Sequence, residues 1–350
     1  MKRKWGYNNR QNGMILVTTL WILALLTLLA LGIGIRVGID IKLIGFSINS
    51  LKAHYIAEAG LRKTIALIEK DDNKNVDSLN EIWSCGFDFE DEVQVLKNIA
   101  IGEGVFTVSH YSGKDEEGNP IYLYGASDEE GKLNINELDE NMLLKLPNVS
   151  FEVAQAILDW RDPDSLPRLE GAEASDYEEL DNSYECKDGK FSVPEELLLV
   201  KGVTKEIYDG VKDVITVYGD SKAVNINTAS EEVLSVLIGG GELAELPGKI
   251  VRYRNGDDGL TGTKDDNIFT DTRAIVVKLK APLASGGGLT PAEELCLNDL
   301  NDKQKCFKVN SNIFRIASRG EVREGRVKKT IETVVKRGKD KSEILYYYED

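Results

Sequence analysis

The stretch RQNGMILVTTLWILALLTLLALGIGIR (residues 10–36) decides how the rest of the chain is read. No charge falls between Met14 and Ile35, and about 22 residues at ~1.5 Å per helical residue cross a hydrocarbon core of ~30 Å. Lys2, Arg3, Lys4 and Arg10 precede the run, an asymmetry that leaves the N-terminus in the cytoplasm. The run is longer than the apolar region of a cleaved secretory signal, and no A-x-A follows it. Beyond Arg36 the chain continues as VGIDIKLIGFSINSLKAHYIAEAGLRKTIALIEKD without proline. Val37, Ile41, Ile44, Ile48, Leu51, Tyr55, Leu61, Ile65 and Ile68 recur there at helical spacing. The pattern predicts one helix from about Met14 to Glu69, roughly 80 Å long, membrane-embedded in its first half and amphipathic in its second. A monomer has little use for such a rod, whereas a filament packs rods side by side in its core.

The chain has 350 residues, enough for two domains with separate cores. Its 59 acidic and 43 basic side chains leave a formal charge of −16. That field repels phosphate backbones and favours divalent cations. Only His54 and His110 are present, far apart in sequence, which argues against histidine-based catalysis. No G-x-S-x-G, H-E-x-x-H or Walker-type run occurs, and the expectation is a protein that is not an enzyme. Cys85, Cys186, Cys296 and Cys306 lack C-x-x-C spacing, against zinc. In an exported chain an even count suggests disulfides, with Cys296–Cys306 as the local pair among three possible pairings.

After an acidic stretch anchored by Ile82, Trp83 and Phe87, strand alternation appears in GVFTVSHYSG (104–113). PIYLYGASDEEG (120–131) is expected to pair with it across a turn at Glu117-Gly118-Asn119. Strand character returns only in FRIASRGEVREGRVKKTIETVVKR (314–337), two β-rich runs around Arg323-Glu324-Gly325. The sheet is thus split, with about 180 mostly helical residues between its halves. Residues 338–350 read as a loose charged tail.

Between the halves lie two related units, DEEGKLNINELDENMLLKLPNVSFEVAQAILDWRDPDS (128–165) and VNINTASEEVLSVLIGGGELAELPGKIVRYRNGDDG (224–259). EELLLVKGVTKEIYDGV (195–211) adds a further helix-turn-helix. These resemble helix-hairpin-helix (SAM-like) units, which in DNA-binding proteins aim backbone N–H groups at phosphate. The first turn, Pro147-Asn148-Val149-Ser150, lacks paired glycines, and the acids around it outnumber the bases that phosphate contact requires. The better reading is packing modules with Leu143, Leu146, Ala154, Ile157, Leu158 and Trp160 as core.

Gly13-Met14 after a basic leader resembles the prepilin peptidase site of type IV pilins and type II secretion pseudopilins. LWILALLTLLAL followed by AEAGL (57–61) is similar, more narrowly, to the K-type minor pseudopilin of type II secretion. ILDWRDPDS, GAEASDY, FSVPEELLLVKGVT and VNINTAS follow that family's order. The resemblance implies an α+β, type IV pilin-like fold, a long N-terminal helix on an antiparallel sheet, interrupted by a large helical insert. It implies a leader at 1–13 cut after Gly13 with Met14 methylated, a membrane segment at 14–35, and a first pseudopilin part at 36–125. The insert would occupy 126–305, the C-terminal strands 306–337 and the tail 338–350. Most family members carry Glu at the fifth mature position, paired with a neighbour's amine; Thr18 stands there, as K-type members lack that carboxylate too. A subunit with nothing above it has no such partner to offer, so Thr18 implies the tip of a filament. The implied role is to initiate and cap the pseudopilus, with minor pseudopilins of the I and J kinds, the major pseudopilin, the inner-membrane assembly platform and prepilin peptidase as partners. The chain would cross the inner membrane once, its C-terminal domain periplasmic. Alternatives are a minor pilin starting a type IV pilus and a membrane-anchored DNA-binding protein.

Two acidic clusters stand out: Asp159, Asp162, Asp164, Glu173 and Asp176, and then Asp257, Asp258, Asp265, Asp266 and Asn267. Oxygen ligands crowded into turns suit calcium, although neither matches the EF-hand pattern. Calcium binding in the inserted domain is also what the resemblance implies.

Overall fold

The computed structural model describes residues 10–114, 118–179, 182–280, 288–339 and 341–350. The leader bases Lys2, Arg3 and Lys4, and Glu117 of the expected turn, lie outside them. One helix, α1 (Arg10–Lys70), runs unbroken for 61 residues, about 90 Å. Its apolar side chains are exposed from Met14 to Ile48, and it docks on the protein from Asn49 onward.

The docked face consists of Ala53, Ala57, Gly60 and Thr64, all buried and spaced three to four apart. A Cβ on Gly320 would stand 2.1 Å from the Ala53 carbonyl oxygen, and one on Gly60 would stand 2.4 Å from Ser318 Oγ. Helix and sheet therefore approach to a distance that only these small residues permit. Ser318 Oγ donates to the Ala57 carbonyl at 2.7 Å, tying the two across the seam. The apolar stripe expected to hold this helix divides here. Leu61 and Ile68 are buried, whereas Leu51 and Tyr55 are 56% and 59% exposed on the opposite side. Close packing on the sheet selects small residues, which hydrophobicity alone does not single out.

The sheet comprises β1 (Ile99–Ile101), β2 (Gly104–Val108), β3 (Ser127–Asp128), β4 (Ile313–Val322), β5 (Val327–Lys336) and β6 (Glu343–Glu349). Its order is β6-β5-β4-β2-β1, with β3 also on β4 and every pair antiparallel. The expected hairpin forms from Ile313↔Lys336 to Val322↔Val327, turned by Arg323, Glu324 and Gly325 at positive φ. Trp83 meets Phe314 edge-on at 4.8 Å in the core between sheet and helix. Two expectations change. GVFTVSHYSG does pair with PIYL as expected, but not as one strand: it breaks at Ser109, so that only His110–Lys114 pairs with Pro120–Leu123 while Gly104–Val108 joins the sheet. Nor are residues 338–350 a loose tail, because β6 pairs along β5; its Ile and Tyr residues favour extended backbone, and the β5 edge supplies hydrogen-bond partners.

The chain leaves the sheet at β3 and returns at β4. Between them stand two tandem copies of one module. Leu133–Asn134 bridges Ile215–Thr216 in parallel, and Val224–Asn225 bridges Phe307–Lys308 likewise. Asn136 accepts from the Phe191 amide at 2.8 Å and donates to its carbonyl at 3.0 Å; Asn227 treats Phe269 in the same way, at 2.8 and 2.9 Å. Arg161, ending α2 (Phe151–Arg161), donates to the carbonyls of Ile135 and Leu138. Arg254, ending α4 (Leu246–Arg254) after α3 (Glu231–Ile238), donates to Ile226 at 2.8 Å and Ala229 at 2.6 Å. The N-x-N and terminal Arg of the repeated sequence are thus clamps that satisfy buried backbone.

Module and sheet meet in a buried polar network. Asp128 Oδ2 accepts from Asn225 Nδ2 (3.1 Å), Thr228 Oγ1 (2.6 Å) and Ser311 Oγ (2.5 Å). Arg337 Nη2 grips Asp77 at 2.7 and 2.9 Å while its Nη1 reaches Asp71 at 2.7 Å. Asp77 also accepts from the Ser311 amide at 2.7 Å. Burial pushes the Asp77 carboxyl up to about 6 despite Arg337. Glu129 is buried too, yet Lys132 and Arg315 hold its carboxyl well below the usual range.

Gly320→Val is expected to destabilise the fold by about 2–3 kcal/mol or more, because backbone must shift to admit the side chain. Gly45→Ala, with nothing within 4 Å, should change stability by less than about 1 kcal/mol; thermal melts of the full chain in detergent compare the two. Arg337→Met should cost about 3–5 kcal/mol by stranding Asp77, and adding Asp77→Asn should recover part of that loss in the same assay.

Candidate metal centre and assembly helix

The first acidic cluster follows α2 and folds around a turn. It divides by function. Asp159 is fully buried and is taken up by Arg168, whose Nη1 donates to it at 2.5 Å and whose amide donates at 3.1 Å. Asp176 accepts from the Glu173 amide at 3.2 Å and pairs with Lys201 at 2.6 Å, which lowers its carboxyl pKa. Both are thus already paired with a cationic side chain.

The remaining acids converge. One ligand atom each from Asp162, Asp164 and Glu173 lie within 4.8 Å of one another, and the same holds for Glu173, Cys186 and Asp188. Glu173 is 3% exposed, and both of its carboxylate oxygens are buried without a hydrogen-bond partner, as are Asp162 Oδ1 and Asp188 Oδ1. Asp188 holds φ at +47°, a strained setting for a residue with a side chain. Buried orphan carboxylate oxygens are costly, and the two groups that meet at Glu173 offer oxygen ligands of the kind a hard cation takes, although Asp162 Oδ2 also accepts from Arg168 Nη1. Burial, then the charges of Asp159, Asp188, Asp162 and Asp164, push Glu173 up to about 7. Asp188 escaped sequence reasoning because it lies 15 residues beyond Glu173; the turn Cys186-Lys187-Asp188-Gly189 was the available signal.

The second cluster, at the matching place after Arg254, is arranged otherwise. Asp265 Oδ2 accepts from the amides of Asp257 (2.8 Å) and Asp258 (3.1 Å), and its Oδ1 accepts from Thr263 Oγ1 (2.8 Å). Asp266 accepts from the Gly262 amide at 2.8 Å, Asp258 from that of Leu260 at 2.7 Å, and Asn267 donates to Tyr253. Gly256 holds φ at +66° with the Asp265 carbonyl where a Cβ would be. The loop closes on its own amides. Among the described residues its acids do not converge as a group of three ligand atoms.

Gly13 and Met14 lie within the first turns of α1, and Met14 is 73% exposed. Thr18 Oγ1 donates back to the carbonyls of Met14 (3.1 Å) and Ile15 (2.9 Å), so its hydroxyl is satisfied inside its own helix. The expected Cys296–Cys306 bond is not formed. All four cysteines are free thiols, and Cys306 is buried in the insert core.

Residues 131–220 match the family model described as type II secretion system protein K. They correspond to the first module copy. A curated protein K of Klebsiella pneumoniae is 24% identical over 235 residues, 66% of this chain and 70% of that one. One from Pseudomonas aeruginosa is 25% identical over 243 residues, 65% and 68%. The fold is similar to a chain of the GspK-GspI-GspJ complex of enterotoxigenic Escherichia coli, with TM-score 0.57 and 15% identity over 90% of this chain and 99% of that one. The family model, the relatives and the fold all point to protein K of type II secretion, which the chain resembles over its first module and about two thirds of its length. It is a minor pseudopilin. Its α1 is long and apolar enough to cross a membrane.

For the metal centre the sign of the pH dependence follows from Glu173. A carboxyl raised from 4.5 to about 7 on folding makes the native state bind the extra proton, so without a cation stability should fall as pH rises through that window. Glu173→Gln should flatten the Tm–pH profile of the chelator-treated protein. Millimolar calcium should raise Tm most at the alkaline end, where Glu173 is charged, and the Asp257 loop variants should leave that rise largely intact.

Proposed function

We propose that this minor pseudopilin stands at the tip of the periplasmic pseudopilus, where it initiates and caps assembly for protein export across the outer membrane. The observation that carries this reading is the state of α1. The apolar side chains of the rod are exposed from Met14 to Ile48, and Thr18, where a shaft subunit would present a carboxylate, bonds only to its own helix. Such a rod gains by packing against other rods, and a neutral, self-satisfied Thr18 asks nothing of a subunit above. The two-copy insert on the end of the sheet adds bulk suited to a cap. Prepilin peptidase would cut after Gly13, and the chain would cross the inner membrane once with its N-terminus cytoplasmic. Its partners would be minor pseudopilins of the I and J kinds, then the major pseudopilin and the assembly platform. The work is binding and assembly, without catalysis.

We read the centre at Asp162, Asp164, Glu173 and Asp188 as a calcium site that orders the first module. When bound, the ion would neutralise the crowded carboxylates; the residues hold the turn Asp162-Pro163-Asp164 against the Cys186–Gly189 turn. The orphaned oxygens of Glu173 support this.

Deletion of the gene in its own host, scoring secreted enzymes and surface pili side by side, tests the reading. Loss of secretion with pili intact is expected; loss of pili with secretion intact would assign the chain to a type IV pilus instead. In a secreting background, Thr18→Glu should reduce secretion, since it places an unpaired carboxylate in the membrane.

A further inference from the structure

Among the described residues the outer rim of β6 is the free edge of the sheet, interrupted by a β-bulge opposite Val334–Val335. Its sequence EILYYYE contains neither Lys nor Pro, the usual protections of a free edge. Ile344, Tyr347 and Tyr348 are 48–55% exposed. Cross-strand partners share a face, so Ile344, Tyr347 and Glu349, opposite Val335, Thr333 and Ile331, lie on the side of the sheet that α1 covers. There Glu349 meets His54 of α1 at 2.9 Å. A groove between helix and strand is lined by Phe46, Ser50, Leu51, His54 and Glu349. Phe46 and Leu51 of α1, both exposed, thus border the same groove as Glu349 of β6, with Ser47 and Lys329 also lining it.

From these observations we infer that β6 accepts an added β-strand from a neighbouring pilin-fold subunit, one that presents basic residues at the strand ends. The inference rests on the reading of α1 as an assembly rod: a partner whose helix lies along α1 brings its own globular domain beside this edge. Lipid does not fit, because Phe46 and Tyr55 lie about 17 and 30 Å beyond Ile35 along the helix. A second copy of this chain fits poorly, since antiparallel self-pairing centred on Tyr346 sets Glu343 opposite Glu349 in a chain of net charge −16. The acidic ends Glu343, Glu349 and Asp350 complement Lys or Arg across the strand pair, while main-chain bonds supply the affinity.

The test is amide hydrogen exchange on the full chain in nanodiscs, alone and in complex with the purified minor pseudopilins of its own secretion system. Protection of amides in Glu343–Glu349 on complex formation is expected, together with protection along residues 37–55. A complex that protects α1 but leaves β6 exchanging as in the free chain would overturn the strand addition and leave the α1 reading standing. Failure of any complex to protect α1 would overturn both. The double variant Ile344→Lys with Tyr347→Lys should weaken the complex by about tenfold or more, with the Tm of the free chain little changed because both side chains are exposed. Equal affinity of variant and parent, or protection of β6 in the chain alone through self-association, would also refute the proposal.

Discussion

A buried carboxylate satisfied by three side chains from distant parts of the chain organises this molecule. Asp128 stands where the chain leaves the sheet, and its oxygens gather Asn225 and Thr228 from the second module and Ser311 from the returning strand. One bond away, Asp77 ties the same Ser311 to Arg337 at the end of β5. Burying these charges without partners would cost several kcal/mol. The network therefore allows essentially one placement of the insert on the sheet. What a hydrophobic interface would permit to slide, a set of short directional bonds fixes.

The helix seam solves a different problem. A filament subunit must offer a large apolar surface to others while holding its own domain. Here α1 separates the tasks by residue size. Ala53, Ala57 and Gly60 press against Gly320 and Ser318, where van der Waals contact is close and only small groups fit. The bulky Phe46, Leu51 and Tyr55 face outward. Large side chains on the inner face would hold helix and sheet apart; small ones on the outer face would leave little to bind.

The insert shows duplication followed by divergence. Both copies keep the asparagine clamp and the arginine that caps buried carbonyls, since each satisfies backbone groups that the fold buries. The loops after those arginines are under no such constraint. In the first, Arg168 engages Asp159 and Asp162 and Lys201 engages Asp176, while both Glu173 oxygens and one oxygen each of Asp162 and Asp188 stay buried without partners. In the second, the aspartates turn onto the loop's own amides.

Much was legible in the sequence because it depends on local pattern. The uncharged run, the proline-free continuation, the hairpin at Arg323-Glu324-Gly325 and the repeated N-x-N units each follow from composition or spacing within a few dozen residues. The rest depends on residues far apart in the chain that tertiary folding brings together. Which face of α1 is buried was decided by how near the sheet comes. The kink at Ser109 and the pairing of β6 were decided by which strand edges stood open. Glu173 and Asp188 share a centre, and Asp77 meets Arg337 across 260 residues of sequence, because backbone clamps set those loops side by side. Periodicity reports which residues avoid water; it carries no record of the distances at which buried polar groups find one another.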